Sequence, residues 1–298
     1  MTTLDVSYRD ALPLLIKATR QVHVLLVGCG GTGSWLAPDL ARLACALKST
    51  ERQIDITFID PDVVEERNVY RQNFCFAETG RPKAIALALR YSAAWGVAIR
   101  AVAEPFDPGR VRMEWDALTV MVGCVDNAAA RTSIAETLKH NQGVPQTWWL
   151  DVGNDRESGQ VLLGSAATVA QVRHAFDNRA FCQCLPGPAL QEPALLAAAP
   201  DESVELSCEE MAVVDTQSLT INKRMAAEAA DYLCRLLGGG RLLKFATYLD
   251  LASGSARSRY ITPIAVAASC NLSPEALFAP AVAKSRKLRK SPRGSDGT

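Results

Sequence analysis

The stretch VHVLLVGCGGTGSWLAPDLARLACAL, Val22 to Leu47, decides the fold. Its opening VHVLLV is a short apolar run rich in β-branched residues and reads as a buried strand. The run stops at Gly28, after which the spacing becomes helical, with Leu36, Leu40, Leu43 and Leu47 on one face. Between strand and helix, Gly28, Gly30 and Gly33 spell G-x-G-x-x-G, with Gly31 inside the pattern. Glycines there permit a tight turn and let backbone N–H groups at a helix N-terminus approach a phosphate. Any dinucleotide enzyme uses the same turn, and so does a glycine turn with no ligand, so the pattern alone names no chemistry.

Outward from this unit, strands and helices alternate. Ile54 to Ile59 reads as a second strand ending at Asp60, where such folds place an acid for ribose hydroxyls. Pro82 to Trp95 reads as a helix, Ala98 to Val102 and Leu118 to Val122 as strands, Asn127 to Lys139 as a helix, and Thr147 to Leu150 as a strand. This alternation predicts an α/β, Rossmann-like and mostly parallel sheet covered by helices. The second half predicts an antiparallel extension. Gln160 to Leu163 reads as a strand, Pro186 to Glu210 as a loop, and Ser218 to Leu237 as a long helix stopped by Gly238 to Gly240. Leu243 to Leu249 and Arg257 to Ile261 then form a hairpin around a Ser-Gly-Ser turn. Residues 1–155 are expected to be the nucleotide-binding half, 156–283 a partner-binding half that completes the sheet, and 284–298 a basic disordered tail.

Composition narrows the classes. Formal net charge is zero over 298 residues, so overall electrostatics do not favour nucleic acid. The tail from Lys284 holds six Lys or Arg against Asp296 alone, about +5, which leaves about −5 on the body. No run approaches the roughly 20 apolar residues that span a bilayer, and the N-terminus does not read as a secretion signal. Nine scattered cysteines fit a reducing cytoplasm rather than a disulfide framework.

The segment IDPDVVEERNVYRQNF, Ile59 to Phe74, carries the sharper signal. It holds Asp60 and Asp62, then Asn68, Arg71 and Gln72; Lys83 follows in TGRPKA, and Asp126 with Asn127 in GCVDNAAAR. With GCGGTG, these four elements in this order resemble the ThiF/MoeB/ubiquitin-activating superfamily over roughly residues 20–250. The VGCGGTGSWLAPDLARL run and the SCEE-to-helix arrangement bring it closest to the PRTRC-system ThiF-family proteins. The resemblance implies adenylation of the C-terminal carboxylate of a small ubiquitin-like (β-grasp) protein ending in glycine, using ATP and Mg²⁺, in a homodimer. It gives Arg71 and Lys83 the phosphate charge, Asp126 the Mg²⁺, and Asn68 neutral hydrogen bonds near the same phosphates. The residue types suit that chemistry: cations offset the repulsion between carboxylate and phosphate and the charge that develops in the transition state. Mg²⁺ takes one or two carboxylates and keeps several waters. Both cations are expected to be partly exposed, and Arg131 is a candidate helper. An NAD(P)-dependent oxidoreductase would share the glycine turn and Asp60 but has no use for the remaining set. A nucleotide-binding scaffold without catalysis is the third reading.

Relatives often pass the acyl group to a cysteine, because a thiolate is nucleophilic near neutrality. Cys208, followed by acids and a long helix, resembles the segment that carries that cysteine; Cys182 and Cys184 are the fallbacks. Cys182 and Cys184 resemble the family's first zinc-binding pair with one residue missing. No second pair follows, so structural zinc is not expected. Cys29, Cys45 and Cys124 are expected to pack. Only isolated Arg9 and Arg20 precede the first strand, so no arginine acting in trans is assigned.

Overall fold

Strand β1 (Gln21–Val27) pairs in parallel with β2 (Gln53–Ile59) on one side and with β4 (Ala117–Gly123) on the other. The computed structural model describes residues 6–48, 50, 52–111, 114, 116–177, 180–197 and 220–278. In chain order β1 is followed by α1 (Gly31–Leu47), β2, the single turn α2 (Glu66–Val69), α3 (Lys83–Trp95), β3 (Ile99–Val102), β4 and α4 (Ala128–Thr137). Then come β5 (Thr147–Asn154), β6 (Ser158–Gly164), two short turns α5 (Val169–Val172) and α6 (Pro188–Gln191), and α7 (Ile221–Leu237). The hairpin β7 (Lys244–Asp250) and β8 (Ser255–Tyr260) and the short α8 (Pro263–Ala268) complete the described chain.

One eight-stranded sheet results, in the order β3-β2-β1-β4-β5-β6-β7-β8. The first five strands of that order run parallel, and β6, β7 and β8 each run antiparallel to their neighbour. This is the mixed α/β sheet that the strand–helix alternation predicts. Because the chain leaves β1 towards β2 and later returns to β4, the switch point lies at the carboxyl end of β1. That is where open α/β sheets form a ligand crevice.

The alternation within β1 explains the packing. Val22, Val24 and Leu26 face one way into the larger core with α1, α3 and α7, while Leu25 and Val27 face the smaller core with Met121, Ile134 and Trp149. Strand β4 is buried along its whole length, as a central parallel strand covered on both faces must be. The expected loop from Pro186 contains, in its described part, α6 and a 3-10 turn at Pro193–Leu196. Each opens with proline in its first turn, where the missing N–H has no helical partner to lose. No helix among the described residues is long and apolar enough to cross a membrane.

Candidate functional site

Parallel register brings the candidate residues to one edge. Val27 lies level with Ile59 and Gly123, and Gly123 with Asp151. The residues that follow β1, β2 and β4 therefore emerge together around a cavity of about 770 Å³, within the range of small-ligand sites. Gly28, Gly30, Gly31, Asp60, Asp62, Asn68, Arg71, Gln72, Lys83, Asp126 and Asn127 all line it. Gly33 and Cys208 do not share that position: Gly33 lies within the turn, and Cys208 lies outside the described residues.

The glycines divide by purpose. Gly28 takes φ +90°, and a Cβ there would lie 2.5 Å from the Cys124 carbonyl oxygen; a Cβ on Gly33 would lie 1.9 Å from that of Gly28. These two let the chain pass itself. A Cβ on Gly30 would meet, among the described residues, only the Gln72 amide nitrogen, at 3.9 Å, so they leave the space above it open. A ligand has room to approach the start of α1 there, where backbone N–H groups lack helical partners. Asp60 braces the same turn. Its Oδ2 accepts from the Cys29 N–H at 2.6 Å and its Oδ1 from the Asp62 N–H at 2.8 Å. Burial pushes its carboxyl above the ordinary aspartate range, against those two N–H groups and Lys83, which act to lower it.

Arg71 and Gln72 are held by α1. Pro38 inside α1 has no N–H to offer the Ser34 carbonyl. Asn73 takes that carbonyl with its Nδ2 at 3.2 Å, and its backbone N–H donates to Ser34 Oγ at 2.9 Å. Trp35 Nε1 donates to the Arg71 carbonyl at 3.2 Å. Asn68 is buried, and its Oδ1 accepts from the Glu65 N–H at 3.0 Å, capping α2. Gln72 is buried too, and its Oε1 meets no partner among the described residues. Lys83 departs from expectation. It is buried rather than partly exposed, because it opens α3 beneath the loop after β2, and its Nζ donates to Asp62 Oδ2 at 2.8 Å. Arg71 is half-buried.

On the other side, Asn127 caps α4, its Oδ1 accepting from the Ala130 N–H at 2.8 Å, and Asp126 stands exposed beside it. No group of three or more His, Cys, Asp or Glu capable of holding a metal occurs among the described residues. One exposed carboxylate in the cavity wall fits Mg²⁺, which binds few protein ligands and shares phosphate oxygens. Arg131 Nε donates to Asp151 Oδ1 at 3.2 Å, and Asp151 is fully buried. Burial pushes the Asp151 carboxyl up to about 6, with Arg131 pulling the other way.

Sequence reading missed three of these groups. Asp151 lies within β5 and Asn154 at its end, and Asn222 in the first turn of α7. Thr32 Oγ1 donates to Asn154 Oδ1 at 2.8 Å, and Asn154 Nδ2 to Asn222 Oδ1 at 3.2 Å, pinning the glycine turn to β5 and α7. An acid closing the apolar strand TWWLD was the one available signal.

Cys182 and Cys184 are buried, with thiols turned to the carbonyls of Cys184 and Gln171. Burial pushes the first well up and the second to about 11, which removes both as ready nucleophiles. Cys29 is core, Cys45 is half-buried, and Cys124 is half-buried at the cavity wall, its thiol also pushed up by burial.

A family model described as ThiF family matches residues 8–265. The chain belongs to the ThiF family. No curated protein matches it. Among solved structures, PaaA superposes with TM-score 0.52 at 19% identity, over 82% of this chain and 65% of its own. E. coli MccB with MccA-N7isoASN gives 0.53 at 15%, over 80% and 64%. E. coli MccB with ATP gives 0.50 at 14%, over 81% and 65%. The chain thus spans just under two thirds of these proteins, and the likeness is one of fold.

Proposed function

We propose that the chain uses ATP to adenylate a carboxylate. The observation that carries this reading is the meeting, in one cavity at the sheet's switch point, of an open glycine turn with Arg71, Lys83 and Asp126. The triphosphate lies against the turn and the start of α1. A carboxylate oxygen attacks the α-phosphorus; the new O–P bond forms as the bond to the bridging oxygen breaks, and pyrophosphate leaves with that electron pair. Arg71 and Lys83 stabilise the charge that develops on the phosphoryl oxygens, in a site whose donors are already positioned. Asp126 would hold Mg²⁺, which would add further charge neutralisation when bound. Asn68 and Gln72 fix the loop that presents Arg71.

Family membership and the MccB structures, which hold that protein with ATP and with MccA, support an ATP-dependent reaction on a peptide or protein. We infer the C-terminal glycine carboxylate of a small ubiquitin-like protein as the substrate, from the resemblance to PRTRC-system proteins, with transfer to Cys208 as a second step. Titration calorimetry with Mg-ATP set against NAD⁺ and NADH tests the class. ATP binding that Mg²⁺ strengthens, and that Asp126→Ala renders Mg²⁺-independent, is expected. NADH binding without ATP binding would overturn adenylation and leave the fold unaffected.

A further inference from the structure

We propose that Arg131 grips the carboxylate that is to be activated, and that buried Asp151 and the bare Gly153 hold it in position to do so; this deepens the adenylation reading and rests on it. An acyl donor arrives attached to a longer molecule, so it needs a route that is open outside and meets the nucleotide within. A second cavity, of about 460 Å³, lies against β6, β7 and β8 and shares Arg131, Gly153 and Asn154 with the first. Of those three residues at the junction, Arg131 is the only cation.

Its setting is that of a donor waiting for an acceptor. The Arg131 side chain is only 12% exposed. Its Nε is spent on Asp151, while its two terminal Nη groups meet no acceptor among the described residues. Those Nη groups open onto both cavities, where water can meet them, and a carboxylate matches the planar fork with two charge-assisted hydrogen bonds. Asp151 is wholly buried and cannot follow Arg131 into solvent, so it fixes the guanidinium from behind. A Cβ on Gly153 would stand 3.2 Å from Arg131 Nη2 and 3.7 Å from Asp151 Oδ2, so the missing side chain is what leaves the guanidinium its place.

Charge separates this role from that of Lys83. Asp62, which pairs with Lys83, is 64% exposed and can turn to water when a phosphate arrives. Asp151 has no such exit, so its pair with Arg131 stays close to neutral. A neutral pair with a free fork suits a single carboxylate recognised by geometry and does little for a triphosphate.

The probes are Mg-ATP, AMP and 5′-O-[N-(N-acetylglycyl)sulfamoyl]adenosine, an uncleavable mimic of the adenylate whose acyl carbonyl oxygen stands for the carboxylate oxygen that Arg131 still holds once the other has bonded to phosphorus. Each is titrated into the full chain, into an Arg131→Gln/Asp151→Asn double variant that removes both charges together, and into Gly153→Ala, which keeps both and crowds them. The wild type is expected to bind the acyl mimic at least about 10-fold more tightly than AMP. Both variants should lose about 10- to 100-fold on the mimic, the scale of hydrogen bonds to a charged group, and stay within about twofold on ATP. Equal losses on ATP and mimic would place Arg131 with the phosphates or the fold and overturn the proposal. A mimic no tighter than AMP in the wild type would overturn it as well. Absence of ATP binding in the wild type is a different result; it would sink the adenylation reading, and this proposal with it. Should the double variant fail to fold, Gly153→Ala decides between the same outcomes.

Discussion

Replacing Lys83 with Met separates a structural lysine from one that serves the phosphates. The lysine side chain is 8% exposed and its partner Asp62 is 64% exposed. Met keeps most of the buried stem, so no large cavity opens. The carboxylate left behind is already in water and needs no buried partner, so the lost pair costs about 1 kcal/mol or less. That is a fall of about 2–4 °C in melting temperature for a chain of this size class. Binding should suffer far more. A charge-assisted hydrogen bond to phosphate is worth about 1.5–3 kcal/mol, or about 10- to 150-fold in Kd. The chemical step should lose about 10²- to 10³-fold, the scale of removing a positioned donor from a developing charge. Scanning calorimetry gives the first quantity, and titration with Mg-ATP at fixed ionic strength the second. A variant that melts 10 °C or more below the wild type, yet binds ATP as tightly once folded, would show that Lys83 braces the loop to α3 and is not a phosphate ligand.

Asp151 makes a pH-dependent contribution whose sign is fixed. Its carboxyl titrates near 6 when folded, against about 3.9 in an unfolded chain. The folded state therefore holds the proton more tightly, and a stabilisation on the order of 3 kcal/mol, present below about pH 4, is lost as pH rises to about 6. The urea midpoint of wild type minus Asp151→Asn should accordingly fall between pH 4.5 and 7.5; a rise would mean that the Arg131 pairing outweighs burial. Thiol labelling at neutral pH, mapped by mass spectrometry, should modify exposed Cys75 and Cys234 and spare Cys182 and Cys184 in the native protein. Rapid labelling of the latter pair would restore them as acyl carriers. With ATP and a cognate small protein, an adduct cleaved by thiol reductant and missing in Cys208→Ala is expected; its persistence there would remove Cys208 from the mechanism.

The sequence by itself determined the scaffold and named many of the residues that line the switch-point cavity. VHVLLVGCGGTG states its own conformation, because an apolar run, a glycine turn and a helical stripe depend on neighbours a few residues away. Asp60 and Asp126 could be placed because each follows a strand and Lys83 because it opens a helix, whereas Asn68 and Arg71 were named by the resemblance alone. What pairs across the sheet was not legible. Arg131 meets Asp151 only because β5 lies beside β4, and Thr32 reaches Asn154 and Asn222, 122 and 190 residues away, only because α7 packs against both α1 and β5. Lys83 was expected to be partly exposed, and Cys182 and Cys184 were the fallback acyl carriers, but tertiary packing buries all three. Burial and long-range pairing depend on which surfaces meet after folding, and local spacing carries no record of that; the tertiary structure alone decided where the guanidinium of Arg131 is held and which thiols are closed off.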